Sequence, residues 1–172
     1  ISMISSSGLT SFAATTLPGS NVLVVPIGGV QVTYAQVQSP GTTYITLTDV
    51  APTLPGTTTT GSNGLFYEVV TTAQYSPPIQ VCLQYAPSDY NNVNALSMQH
   101  YENGHWQTVT LSNDPVNAMI CGQVNSLSPF AITEPAVSTM TPTATNTHTK
   151  TPKPTKTETP TKTFTPTDTP TK

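Results

Sequence analysis

The chain has 172 residues, of which only 8% are charged, and no Lys or Arg occurs before Lys150. Typical soluble proteins carry about 25% charged residues. The absence of basic residues argues against nucleic acid as a partner of the segment before Lys150, since phosphate binding rests on Lys and Arg. No apolar run approaches the roughly 20 residues that span a bilayer, so no membrane insertion is expected.

Charge and composition divide the chain. Asp49, Glu68, Asp89, Glu102, Asp114 and Glu134 give residues 1–149 a net −6, whereas the remainder sets five Lys against Glu158 and Asp168, for +3. Residues 1–136 have globular composition and a length near the commonest domain size. From residue 137 the sequence is Thr/Pro-rich and low in complexity. Three segments follow: an N-terminal strand or arm over 1–19, a β-sandwich domain over 20–136, and the tail over 137–172. No basic, apolar leader precedes Ile1, so an exported form would already have lost its signal.

In chain order, strand signals dominate. The segment 1–19 reads as an edge strand of the domain, or as an arm that adds to a neighbour's sheet edge. "NVLVVP" is β-branched and stops at Pro26. "GGVQVTYAQV" follows a Gly-Gly turn and alternates, as does "TTYITLT", where Ile45 and Leu47 face one way and Thr46 and Thr48 the other; a period of two marks a half-buried strand. "APTLPGTTTTGSNG" reads as a loop. "LFYEVVTTAQY" is the longest predicted strand, broken by "SPP" before "IQVCLQY". Residues 86–94 form a connection with one helical turn. "ALSMQHY" and "HWQTVTL" flank Asn103-Gly104, whose preference for positive φ predicts a tight hairpin. "SNDPVN" is a turn, and "AMICGQV" and "PFAIT" complete the set. With no helical period anywhere, the expected fold is all-β: an antiparallel β-sandwich of about eight or nine strands with an extended Thr/Pro-rich C-terminal tail.

Cys82 and Cys121 both lie in predicted strands. In an exported protein they would pair, closing a loop of about 40 residues worth about 4 kcal/mol by chain entropy; in a reducing compartment they would be two buried thiols. Their spacing fits no zinc motif. From Val81 onward, "VCLQY" (81–85), "HYENGHWQTVT" (100–110) and "CGQVNSLSPFAI" (121–132) resemble a ZU5-like or related extracellular β-sandwich module of secreted bacterial proteins. The resemblance is carried by the stretch from Val81 to Ile132 and covers nothing before about Tyr44. It implies a sandwich, secretion, a Cys82–Cys121 bridge and no catalytic residues.

The chemistry-bearing residues are sparse. His100 and His105 flank the hairpin with Glu102 between them, an arrangement read as an exposed rim rather than a metal site, because no third histidine is available in the domain. No G-x-S-x-G elbow places a base beside a serine. The six acids are scattered, and the glycine turns open no helix that would bind phosphate. No catalytic, cofactor-binding or metal-binding residue is therefore expected. Trp106 with Tyr101, Tyr85 and Tyr90 is suited to stacking on sugar rings, Trp106 and Tyr101 first among them, which gives an alternative reading as a carbohydrate-binding or adhesion module on a Thr/Pro linker.

In the tail every odd-numbered residue from Thr139 to Thr171 is Thr, except Lys153. Such a segment has almost nothing apolar to offset the entropy of ordering, and its composition is that of O-glycosylated stalks. The candidate acceptors are Thr139, Thr141, Thr143, Thr145, Thr147, Thr149, Thr151, Thr155, Thr157, Thr159, Thr161, Thr163, Thr165, Thr167, Thr169 and Thr171. No N-x-S/T sequon is present, so glycans would be O-linked. The leading expectation is a non-enzymatic subunit of a bacterial extracellular filament or cell-surface assembly. It would self-associate through β-strand and edge contacts, with glycans on the tail.

Overall fold

The alternation legible in the sequence builds two antiparallel sheets that share one core. The computed structural model describes residues 4–6 and 9–136, with side chains from Thr10 onward; the tail and its candidate glycosylation sites lie outside the described residues. Within them run thirteen strands: β1 (Ile4–Ser6), β2 (Leu9–Thr16), β3 (Gly19–Ile27), β4 (Val30–Ser39), β5 (Gly41–Thr48), β6 (Thr58–Thr60), β7 (Phe66–Thr71), β8 (Gln74–Gln84), β9 (Ser97–Glu102), β10 (His105–Thr108), β11 (Thr110–Asp114), β12 (Met119–Val124) and β13 (Pro129–Pro135). The only helical elements among the described residues are two single 3-10 turns, Pro87–Asp89 and Val93–Ala95.

Sheet A has the order β1-β2-β5-β7-β13-β9-β10, with β6 also paired to β13, and sheet B the order β11-β12-β8-β4-β3. Their inner faces meet in a continuous core. Val32, Tyr34, Ile79, Val81, Leu83 and Ile120 project from sheet B, and Ile45, Val69, Met98, Phe130 and Ile132 from sheet A. Fully burying each such aliphatic side chain contributes about 1.5–3 kcal/mol.

Three changes of sheet need only one or two linking residues. β2 passes to β3 through Leu17-Pro18, β4 to β5 through Pro40, and β7 to β8 through Thr72-Ala73. The last two corners touch, because a Cβ on Gly41 would lie 2.2 Å from the Ala73 nitrogen; only glycine fits there. A buried hydroxyl cluster ties the corners. Thr43 Oγ1 lies 2.6 Å from Thr16 Oγ1, 2.8 Å from the Tyr34 hydroxyl and 3.2 Å from Thr71 Oγ1. Thr71 Oγ1 in turn accepts from the Ala73 amide at 3.2 Å. A buried polar network rigidifies a fold only when fully satisfied, and no buried side-chain polar atom among the described residues lacks a partner.

Several predicted elements differ from the observed ones, each for a tertiary reason. The long strand over residues 65–75 is two strands, divided where the chain crosses between sheets at Thr72-Ala73. "SPP" does not end a strand, since β8 runs through it. Tyr34 pairs with Ile79 and Gln36 with Ser76, so Pro77 and Pro78 sit at a bulge opposite Ala35; β12 reaches only Ile79 on the other side, so no ladder needs their missing donors. "HWQTVTL" divides at Val109, whose amide donates to Met98 of sheet A while its carbonyl accepts from Gln123 of sheet B. Residues 10–16 of the N-terminal segment pair along their length with β5, as part of the domain's own sheet.

Candidate functional site

Three features of the sandwich are candidates for function: its disulfide, its open edges, and an aromatic cluster on the outer face of sheet A. Cys82 and Cys121 are directly opposed on β8 and β12, with Cα atoms 4.0 Å apart, and are joined by a disulfide. Val81, Leu83 and Ile120 point inward, so strand alternation puts the bridge on the outer face of sheet B. It fastens strands that already pair.

β3 is the longest edge strand, at nine residues, and among the described residues it pairs only with β4. Val24 and Pro26 face the core, whereas Leu23 and Val25 remain 57% and 47% exposed. Soluble proteins usually blunt such edges with charge, proline or bulges; β3 has no ionisable side chain, and its interruptions are Asn21 at φ 51° and a register shift between Val24 and Ile27 that contains Pro26. At the other edge of sheet B, β11 pairs only with β12 and leaves Leu111 54% exposed.

The predicted hairpin forms between β9 and β10. Asn103 and Gly104 both take positive φ (54° and 85°), as a two-residue turn of matching twist requires. Its register sets Trp106 opposite Tyr101 on the outer face of sheet A. The two rings lie 5.3 Å apart at 60°, and Phe66 lies 5.7 Å from Trp106 at 35°. Trp106 Nε1 donates to the Pro52 carbonyl at 3.0 Å, tying the 49–57 loop over the same face. Ala131, placed between Phe66 and Gln99 on this face, is fully buried. The cluster therefore caps the sheet with a small second apolar layer. Trp106 and Tyr101 are both half-buried and inclined to each other, so they offer two partial ring faces rather than one flat platform.

His100 corrects the reading of the hairpin as an exposed rim. It is buried, stacked on Phe130 at 4.6 Å, and its Nε2 lies 2.6 Å from Ser128 Oγ. Of the two hairpin histidines, His105 is the exposed one. Burial pushes the His100 imidazole below its ordinary range, partly opposed by the Glu102 carboxylate. Sequence reasoning missed the Ser128–His100 pair because the two lie on different strands, far apart in sequence. Ser128 Oγ also donates to the Tyr101 carbonyl, and the His100 tautomer that carries its hydrogen on Nε2 then completes the contact by donating to Ser128. Glu134 is a second buried polar group. Its carboxylate accepts from the Asn91 and Asn92 amides, each at 3.0 Å, and from Asn91 Nδ2 at 2.8 Å. Burial alone would raise its pKa, but these donors hold it below the usual carboxylate range.

A cleft of about 320 Å³ opens at the Gly28-Gly29 end of the sandwich, lined by Leu47, Tyr67, Gln84 and Tyr85 among others, without a carboxylate, histidine, serine or cysteine. Among the described residues no group of three or more His, Cys, Asp or Glu is placed to hold a metal, and no helix is long and apolar enough to cross a membrane. No protein-family model and no curated protein matches the chain. The fold and its surfaces define a disulfide-bridged antiparallel β-sandwich with a Thr/Pro-rich tail.

Proposed function

We propose that this chain is a structural, non-enzymatic subunit of a bacterial extracellular filament or cell-surface assembly, in which sandwiches associate through their sheet edges and O-glycans clothe the tail. The observation that carries the reading is β3, a nine-residue free edge with exposed Leu23 and Val25 and no ionisable side chain. The disulfide supports an oxidising setting, and the resemblance to ZU5-like modules supports secretion. The pairing of Thr10–Thr16 with β5 in the domain's own sheet favours the sheet edges over the N-terminal arm as the point of association. Sedimentation of the full chain tests this: wild type self-associates with rising concentration, and Leu23→Lys with Val25→Lys leaves it monomeric. Equal association of both forms rejects the β3 edge. For the tail, the intact mass of native material exceeds that of the bare polypeptide; equality rejects glycosylation.

The exposed portions of Trp106 and Tyr101 favour one second reading, a carbohydrate-binding or adhesion module. It predicts that the wild-type chain is retained on a polysaccharide and that Trp106→Ala is not. Absence of wild-type retention across a panel of polysaccharides disposes of it.

A further inference from the structure

The tail carries a second pattern beyond its threonines. Pro142, Pro152, Pro154, Pro160, Pro166 and Pro170, all the prolines after Pro135, are even-numbered, whereas the odd positions from 139 to 171 hold Thr or Lys153. In an extended strand one residue's N–H and C=O point to the same side, and those of the next residue point to the opposite side. Laid out as a strand, the tail has one side with every donor present, supplied by the odd residues. On its other side six donors are missing. Proline is tolerated in a strand where its missing N–H faces away from the ladder, and β-branched threonine suits the pleated backbone. The sequence thus describes an edge strand with a single bonding side.

We infer that the tail of a second copy adds as a strand to the free edge of β3, bonding through its odd-numbered residues and turning its prolines outward. This rests on the assembly reading above and deepens it. Two further observations favour this occupant. The β3 edge is unpaired among the described residues and uncharged, so it sets no like charge against an incoming strand, and its regular stretch, Val22–Val24, lies between Asn21 at φ 51° and the register shift before Ile27. The net charges are also complementary, −6 over residues 1–149 against +3 from Lys150 onward, and this difference steers tail to domain over distances of about a Debye length. The proline side refuses a further strand, so each β3 takes one tail. Because each copy both gives a tail and receives one on a different surface, the contact is heterologous and grows into an open polymer wherever it does not close on itself as a ring. The threonine side chains stand off one face of the joined sheet, where attached sugars would not obstruct the ladder.

The test exchanges residues within Thr-Pro pairs of the full chain: Thr151→Pro with Pro152→Thr, Thr159→Pro with Pro160→Thr, and Thr165→Pro with Pro166→Thr. Composition, charge and threonine count are unchanged, but three prolines move to the bonding side. The substitutions lie outside the sandwich, whose folding is checked by its disulfide and circular dichroism. Sedimentation reads self-association, and hydrogen exchange reads the β3 amides that point away from β4. Wild type associates with rising concentration and protects those amides as it does so; the exchanged chain associates at least about tenfold more weakly and leaves them open. If the exchanged chain associates as tightly as wild type, strand addition is overturned while assembly stands. If wild type never associates, both fall. Protection of β3 in monomers, independent of concentration, shows that a chain's own tail occupies the edge and overturns the second copy as donor.

Discussion

Thr43→Val is the sharpest probe of the polar corner that holds the two sheets in register. The substitution keeps the branched shape and removes one hydroxyl. Thr16 and Tyr34, both fully buried, then lose their contacts to Thr43 at 2.6 and 2.8 Å. Leaving a buried polar group unpaired costs roughly 1–3 kcal/mol. Thr71 also interacts with the Tyr34 hydroxyl and recovers part of that loss, which puts the net destabilisation at about 2–4 kcal/mol. Against a total stability of about 5–15 kcal/mol this is a large fraction, and it lowers the melting temperature by roughly 5–15 °C. Chemical denaturation followed by Trp106 fluorescence measures it, with Thr43→Ser as the control that keeps the oxygen. Thr43→Val within about 0.5 kcal/mol of wild type would refute the corner network as a stabilising element. The corner carries β2 into β3, so loosening it should also weaken association through the β3 edge.

Three further outcomes are expected. Glu134→Gln destabilises the domain at neutral pH by about 1–3 kcal/mol, because charge-assisted bonds from Asn91 and Asn92 are exchanged for neutral ones. The folded-state pKa of Glu134 is depressed, so its contribution is present above the ordinary carboxylate range and lost as pH falls through the folded value. The gap between wild type and variant therefore closes in acid, and a constant gap across a pH series would contradict the assignment. Replacing Cys82 and Cys121 together by Ala removes a link across 39 residues and costs about 4 kcal/mol; denaturant midpoints that coincide with and without reductant would contradict this. Burial lowers the His100 pKa in the fold, partly opposed by Glu102, so as pH falls the unfolded chain takes up its proton first and stability drops below the ordinary imidazole pKa of about 6.5. His100→Gln flattens that slope in thermal melts, and an unchanged slope would place its origin elsewhere.

The elements legible in the sequence were those fixed by local chemistry. Alternation in β4 and β5 follows from one wet and one buried face, and the hairpin at Asn103-Gly104 from the backbone freedom of those two residues. The two cysteines fall opposite each other because β8 and β12 pair in register. What stayed hidden depends on contacts between distant segments. Nothing local in "VVTTAQY" marks the change of sheet at Thr72-Ala73; the backbone contact with Gly41 reveals it. "TTT" of β6 reads as loop because its partner strand, β13, arrives only at the far end of the domain. His100 reads as a rim residue until Phe130 and Ser128 come in from another part of the chain. For the candidate sites, composition pointed to contact and covering, but the particular edge, β3, emerged only once the strand order was known.

Electron microscopy of the full chain, in native material and after concentration of the purified protein, separates a polymerising building block from a solitary domain at a glance. Extended polymers whose repeat is one sandwich are expected, dispersed by Leu23→Lys with Val25→Lys. Separate particles the size of a single domain in both preparations would show that the sandwich edges do not assemble.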